Sequence, residues 1–362
     1  MELDTGFPLS PDKFQKENGM ISAKTIEENG CLEIIEQSPS IIPLIKGKTF
    51  LITGSNGLIG NYFTRLLDVA SKQFGANVKA YCISKHPPRW INKEFIFPTL
   101  DLSEPLQSSV FELPVDYIIH CANYPRPRRF LSIELETIAL NVNATHTLLE
   151  VAKQNEASLL FLSSSEIYGN ATQIPTGETY TGTFPTDNLR ASYVESKRMG
   201  EVLCFIYNRK FGGKAKVARL SSVYGPGITI WDERAMGDFM RQAFIHKHIE
   251  LLDKGQAQRT YCYITDAIGM LMNILLRGKE VIYNVGGVDT CPLLYMAKLV
   301  ADELGATCQA GTGEGLKDAP SIVKIDIGKV CREFNIKKFV PLEEGIKRLI
   351  DWNEAMGYLH WG

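Results

Sequence analysis

Three groups of residues near the middle of the chain have types and spacing suited to proton transfer. Ser163, Ser164, Ser165 and Glu166 follow an apolar run from Leu159 to Leu162, and Tyr193 comes roughly thirty residues later with Lys197 four positions beyond it. Positions i and i+4 of a helix share a face, so this spacing puts the Lys197 ammonium beside the Tyr193 phenol, where it favours the anion. A phenol whose ordinary pKa of about 10 is drawn toward neutrality becomes a usable base. Tyr-x-x-x-Lys also occurs by chance, so its meaning depends on the elements that must position it.

Those elements begin at Lys46. An apolar strand, Thr49 to Thr53, runs into a turn with Gly54, Gly57 and Gly60, and Leu58, Ile59, Tyr62, Phe63, Leu66 and Leu67 then follow at helical spacing. Backbone N–H groups at such a turn, together with a partially positive helix N-terminus, accept a pyrophosphate. Further strands are expected at Val78–Ile83, Phe95–Leu100, Val115–Cys121, Leu159–Leu162 and Lys216–Leu220, with helices at Ile133–Lys153 and Tyr193–Phe211. Buried strands alternating with helices predict an α/β fold of Rossmann type, a doubly wound parallel sheet that binds ligands at the carboxyl ends of its strands. Gly54, Asp101, Ala122, Ser164 and Ser221 all fall at such ends and should face one crevice.

Residues 1–45 read as a polar extension with a short helical pattern around Ile26–Ile35, packed on the main domain or partly disordered. Residues 46–222 read as the dinucleotide-binding domain. Residues 223–362 read mainly as a smaller substrate-binding lobe with segments returning to the main sheet. Helices are expected there at Asp238–His248, Thr265–Arg277 and Leu293–Leu304, and strands at Ile249–Leu252 and Val281–Val285. After the second strand the chain carries Ser84, Lys85 and His86. An acid at this point would hold the ribose hydroxyls of NAD, whereas a base accommodates a 2′-phosphate, so Lys85 leaves NADP open.

Bulk properties narrow the function. A net charge of -2 gives no electrostatic reason to expect nucleic acid or an anionic membrane. No apolar run approaches the roughly 20 residues that span a bilayer. Eight scattered cysteines without a C-x-x-C pair read as reduced core residues of a cytoplasmic protein, with no metal site.

Taken together, the motifs TGSNGLIG at Thr53–Gly60, TLDLSE around Asp101, HCAN at His120–Asn123, LNVNAT around Asn141, SSSEIYG, YVESK, RLSSVYGPG from Arg219 and RTYCYITD from Arg259 run in a recognisable order. The chain resembles the extended short-chain dehydrogenase/reductases, specifically the NAD-dependent nucleotide-sugar epimerases, dehydratases and decarboxylases, from about Lys46 to about Leu304. The resemblance implies NAD bound by Gly54, Asn56, Gly57, Leu58, Ile59, Gly60, Asp101, Leu102, Ala122, Asn141, Tyr193 and Lys197, with Asp101 at the adenine. It implies Tyr193 as base, Lys197 as its activator and ribose contact, and Ser164 as the hydroxyl partner of the sugar O4. Ser222, Arg234, Arg259 and Arg126 would contact a nucleotide-diphosphate sugar, Arg259 at the diphosphate. Pairing of Ile133–Lys153 and Tyr193–Phe211 across two subunits would make a homodimer through a four-helix bundle.

The resemblance also bears on the reaction. Sugar 4,6-dehydratases have Thr-Asp-Glu where this chain has Ser164, Ser165 and Glu166, and their aspartic acid protonates the departing 6-hydroxyl. Ser-Ser-Glu is similar to the UDP-glucuronate decarboxylases, whose 4-keto uronate loses CO2 without acid on a leaving group. Decarboxylation is therefore the leading expectation, with Glu166 positioning or stabilising the intermediate; a 4,6-dehydratase or 4-epimerase is the alternative within the family. A net dehydrogenase and a non-catalytic dinucleotide sensor are the remaining readings, and the retained Tyr193 and Lys197 count against the sensor. Ser222 stands where decarboxylases usually show asparagine, and Asp238 also falls where asparagine is expected. Arg126, Arg128 and Arg129 form a basic loop that is either solvated or borders the substrate. His120 reads as a buried structural residue, Glu178 and Asp187 as solvated.

Overall fold

The computed structural model describes residues 21–88, 90, 92–106, 111, 114–124, 127–313 and 320–359, with only the backbone of residues 127 and 128. Six parallel strands form the main sheet: β1 (Thr49–Thr53), β2 (Lys79–Ile83), β3 (Tyr117–His120), β4 (Ser158–Ser164), β5 (Lys214–Leu220) and β6 (Ile282–Val285). Their order is β2-β1-β3-β4-β5-β6. Strands buried on both faces need apolar residues at consecutive positions, and these have them. Phe50 and Ile52 of β1 point into one core and Leu51 into the other; Leu160 and Leu162 of β4 oppose Leu159 and Phe161 in the same way.

Helices cover both faces. Helix α2 (Leu58–Phe74) and helix α5 (Ile264–Arg277) pack into the first core, while α3 (Ala144–Asn155) and α4 (Ala191–Phe211) bound the second. A smaller sheet lies beyond the carboxyl ends of the strands, with Gln258–Tyr263 at its centre, flanked by Thr290–Pro292, Ser222–Tyr224 and Ile322–Val323. No helix among the described residues is long and apolar enough to cross a membrane.

One expectation is corrected and two are refined. Phe95–Leu100 is not a strand: it touches β2 through two isolated bridges, Tyr81 to Ile96 and Ser84 to Thr99. Pro98 has no N–H to continue a ladder. The helix expected over Ile133–Lys153 is present as one continuous helical run from Glu134 to Asn155, with a π-turn at Ala139–Asn143 leading into α3. Within the first 45 residues, α1 (Ala23–Gln37) is an ordered helix packed against α2, α5 and the C-terminal helix α6 (Leu342–Ala355). This is the packed alternative expected for the Ile26–Ile35 pattern, and it buries Glu27 in an ion pair with Arg65, with side chains 7% and 9% exposed.

Candidate active site

The glycine turn is built by contact. Gly54 has φ +65°, and a Cβ on it would lie 2.7 Å from the backbone of Ala122, so only glycine lets β1 and β3 close together here. A Cβ on Gly60 would lie 2.3 Å from the Gly54 carbonyl oxygen, so the first turn of α2 sits directly on the loop. Gly57 caps α2 in extended conformation, followed by Leu58 and Ile59. These features fit a dinucleotide pyrophosphate: small residues give the phosphate access to backbone N–H groups at a helix N-terminus. Asn56 donates from Nδ2 to the Pro87 carbonyl at 2.9 Å, joining the turn to the loop after β2.

In that loop Lys85 Nζ lies 2.5 Å from Asp101 Oδ2. Ser103 donates to Asp101 Oδ1 from its backbone N at 3.1 Å and its hydroxyl at 2.7 Å. Burial works against the Asp101 carboxylate, but Lys85 and Ser103 overcome it and hold its pKa below the ordinary value. Leu102 is buried in the second core.

Tyr193 lies in the first turn of α4 and is 6% exposed. Its ring stacks on Phe130 with centroids 4.6 Å apart and planes 14° from parallel. Asn123, from the HCAN segment after β3, donates to the phenol oxygen at 3.4 Å. Burial pushes the phenol up to about 12 and the Glu166 charge adds to the rise; hydrogen bonds from Ser164 and Asn123 and the Arg190 charge pull the other way. Burial outweighs the groups of this chain that favour the anion, so the expected fall toward neutrality draws on the cofactor's positive charge as well. Lys197, 1% exposed, donates from Nζ to the Leu162 carbonyl at 2.8 Å. Burial depresses it to about 7 and removes much of the charge that was to favour the phenolate.

Ser164 ends β4 and caps the short turn Ser165–Tyr168 by accepting from Glu166 N at 3.2 Å. Ser165 is buried. Both Glu166 carboxylate oxygens accept from Arg190: Nη2 reaches them at 2.6 and 2.5 Å, and Nε reaches Oε2 at 3.2 Å. The π-turn carries Asn141 inward, fully buried, and its Nδ2 donates to Ser196 Oγ at 3.0 Å. Such bulges recur at functional sites.

The substrate-side candidates separate. Arg259 donates to the Gln258 carbonyl at 2.7 Å, and no carboxylate pairs with it among the described residues. Burial lowers its pKa, and it is near enough to Glu166 and Arg190 to feel both charges. Arg234 is already paired, Nε and Nη2 reaching Asp232 at 2.9 and 2.8 Å. Ser222 joins the smaller sheet opposite Tyr261, and Arg126 lies outside the described residues. Glu178 is not solvated as expected: it accepts from Asn284 N at 3.0 Å and its carbonyl accepts from Arg219 at 2.9 Å. His120 is a buried structural residue, with Nδ1 2.7 Å from the Thr53 hydroxyl and its pKa pushed down to about 3 by burial. Arg190, Asn123 and Phe130 were not singled out from sequence, although an arginine three residues before Tyr193 and an asparagine closing HCAN were visible there.

The chain is similar to known proteins over most of its length. UDP-glucuronic acid decarboxylase 1 of Xenopus tropicalis is 28% identical over 307 residues, covering 84% of this chain and 72% of its own. UDP-glucuronic acid decarboxylase 5 of Arabidopsis thaliana is 28% identical over 317 residues, covering 85% and 92%. The fold is shared with the dTDP-glucose 4,6-dehydratase DesIV of Streptomyces venezuelae, solved with NAD bound, at TM-score 0.75 and 21% identity over 86% of this chain and 98% of that one. UDP-glucose 4-epimerase of Thermotoga maritima gives TM-score 0.75 at 19% identity over 84% and 98%. Residues 50–286 match the NAD dependent epimerase/dehydratase family, well over half of the chain; the protein belongs to that family and is an NAD-dependent enzyme.

Proposed function

We propose that the protein decarboxylates a nucleotide-diphosphate uronic acid, of which UDP-glucuronate is the type, through a 4-keto sugar. The carrying observation is the Ser164-Ser165-Glu166 turn, in which Ser165 is a buried hydroxyl and both Glu166 oxygens accept from Arg190. No group in this turn is arranged as an acid for a departing 6-hydroxyl, as dehydration needs. Loss of CO2 has no such need. The relatives at 28% identity carry the decarboxylase name and support the same choice.

NAD, when bound, supplies the hydride acceptor for C4 and later returns the hydride. Tyr193 takes the O4 proton as the ketone forms, with Ser164 and Asn123 donating to its oxygen. The substrate carboxylate is then β to the ketone. The C5–C6 bond breaks, CO2 leaves, and its electron pair delocalises into the C4 carbonyl. A proton to C5, hydride back to C4 and the proton that Tyr193 returns to O4 complete the balance. Lys197 and Asn141 hold the cofactor side, Arg259 meets the diphosphate, and Gly54, Asn56, Gly57, Leu58, Ile59, Gly60, Asp101, Leu102 and Ala122 line the dinucleotide. Arg234 would have to release Asp232 to reach substrate, which ranks it below Arg259.

A homodimer is part of this reading. Met199, Val202 and Phe205 follow one another along the outer face of α4 at 47%, 46% and 44% exposure, and Leu135 beside them is 79% exposed. A second copy of these helices would cover that face. The eight unpaired thiols fit a reducing, cytoplasmic compartment.

Incubation with UDP-glucuronate, dTDP-glucose and UDP-glucose, followed by mass spectrometry, tests the assignment. Loss of CO2 from UDP-glucuronate is expected. Loss of water from dTDP-glucose, or epimerisation at unchanged mass, would replace it with the dehydratase or epimerase reading.

A further inference from the structure

We propose that Arg190 is the positioning residue that keeps Glu166 in register with Tyr193, so that the two halves of the site act as one unit. The inference rests on the decarboxylase-type reading and deepens it. The candidate chemistry is carried by two separate elements, the turn after β4 and the first turn of α4. Between Glu166 and Arg190 the chain runs 24 residues, much of it irregular loop. Lys197 donates to the Leu162 carbonyl and Arg198 to the Ile167 carbonyl, tying α4 to β4 and its turn, but neither touches the Glu166 carboxylate, whose orientation toward the phenol is left to another side chain.

Arg190 makes that connection. Its carbonyl accepts from Tyr193 N at 3.2 Å and Val194 N at 3.1 Å, so its backbone is tied to the start of the helix that carries the phenol. Its guanidinium is 6% exposed and grips Glu166 through Nε and Nη2. The same group lies 5.2 Å from the Phe130 ring centroid, and that ring is stacked on Tyr193. Arg190 therefore touches the carboxylate directly and supports the phenol through Phe130. On the far side, the Ser164 hydroxyl holds the Glu166 backbone. A planar fork orients a carboxylate in a way that a point charge does not, so lysine is a poor substitute here.

The test uses full-length enzyme with Arg190→Met and Arg190→Lys, alone and combined with Glu166→Gln. Turnover is measured with whichever of UDP-glucuronate, dTDP-glucose and UDP-glucose the wild type converts. The expectation is a fall in kcat of about a hundredfold for Arg190→Met, the scale of a 1 Å misplacement, with KM and NAD affinity close to wild type. Arg190→Lys should recover only a small part. Adding Glu166→Gln to Arg190→Met should cost little more, because the pair acts together. Oxidised sugar stalled on the variants should be accompanied by NADH absorbance that the wild type does not accumulate.

Wild-type kcat in Arg190→Met, or losses that simply multiply in the double variant, would overturn the inference. If Arg190→Met fails to fold, full activity in the folded Arg190→Lys enzyme would overturn it equally. Turnover of dTDP-glucose or UDP-glucose in place of UDP-glucuronate, with the variants still impaired, would sink the substrate reading alone. A wild type inert toward all three would sink both.

Discussion

The phenol of Tyr193 receives a hydrogen bond from Asn123 Nδ2, and the Asn123 Oδ1 beside it is buried without a hydrogen-bond partner among the described residues. Asn123 is thus one of the groups that oppose the upward shift of Tyr193 to about 12, which burial and then the Glu166 charge cause. A base acts in its deprotonated form, so activity that depends on Tyr193 rises with pH until the phenol has ionised. Asn123→Ala removes a donor that favours the anion. The rising limb of kcat/KM should move to higher pH, with the plateau little changed. A profile that stays in place would separate Asn123 from the phenol. Tyr193→Phe should lower kcat by about a thousandfold or more and leave NAD binding intact.

What the sequence disclosed and what it hid follow from the range of the interactions. The glycine turn and the strands are written in adjacent residues, as in Thr49–Thr53 and Gly54–Gly60, and the structure places them there. The Glu166–Arg190 pair joins positions 24 apart and needs the fold to exist first. Spacing correctly put Tyr193 and Lys197 in one helix, but spacing carries no information about desolvation, the largest influence on both groups. The π-turn at Ala139–Asn143 is equally invisible, because its residues read as ordinary helix.

Lys197 gives a prediction about stability. Burial lowers it from 10.5 to about 7, so between those values the unfolded chain binds more protons at this site than the folded chain. Stability contributed here therefore rises with pH across that window, and the full penalty of the buried charge applies below it. Lys197→Met, which removes the charge, should be stabilised relative to wild type most at about pH 6, with the difference shrinking toward about pH 9. Urea midpoints at a series of pH values measure it. A difference independent of pH would refute a depressed lysine.

Lys85 and Asp101 bear on the choice between NAD and NADP. Lys85 is half exposed at the end of β2, and its ammonium is spent on Asp101. Held there, it offers a 2′-phosphate a neutralised pair in place of a free cation. Asp101→Asn should release it and tighten 2′,5′-ADP relative to ADP by about tenfold, the scale of one charge-assisted contact. Adding Lys85→Ala should abolish the gain. Titration calorimetry reads both affinities without turnover, and an unchanged ratio in Asp101→Asn would mean that the ribose lies out of reach of Lys85.

The N-terminal helix is fastened by a buried charge, with a large predicted cost when it is broken. Glu27 Oε2 accepts from Arg65 Nε at 2.9 Å, and its Oε1 accepts from Trp352 Nε1 at 3.1 Å. One carboxylate thereby joins α1 to α2, next to the glycine turn, and to the C-terminal helix α6. Glu27→Gln keeps the shape but leaves the Arg65 guanidinium buried without a counter-charge, and breaking such a pair from one side costs about 3 kcal/mol or more. Denaturant unfolding should register that loss, and Arg65→Gln in the same chain should restore part of it by removing the stranded charge. A loss under about 1 kcal/mol, the range of exposed pairs, would mean that water reaches Glu27 and that α1 is only loosely attached.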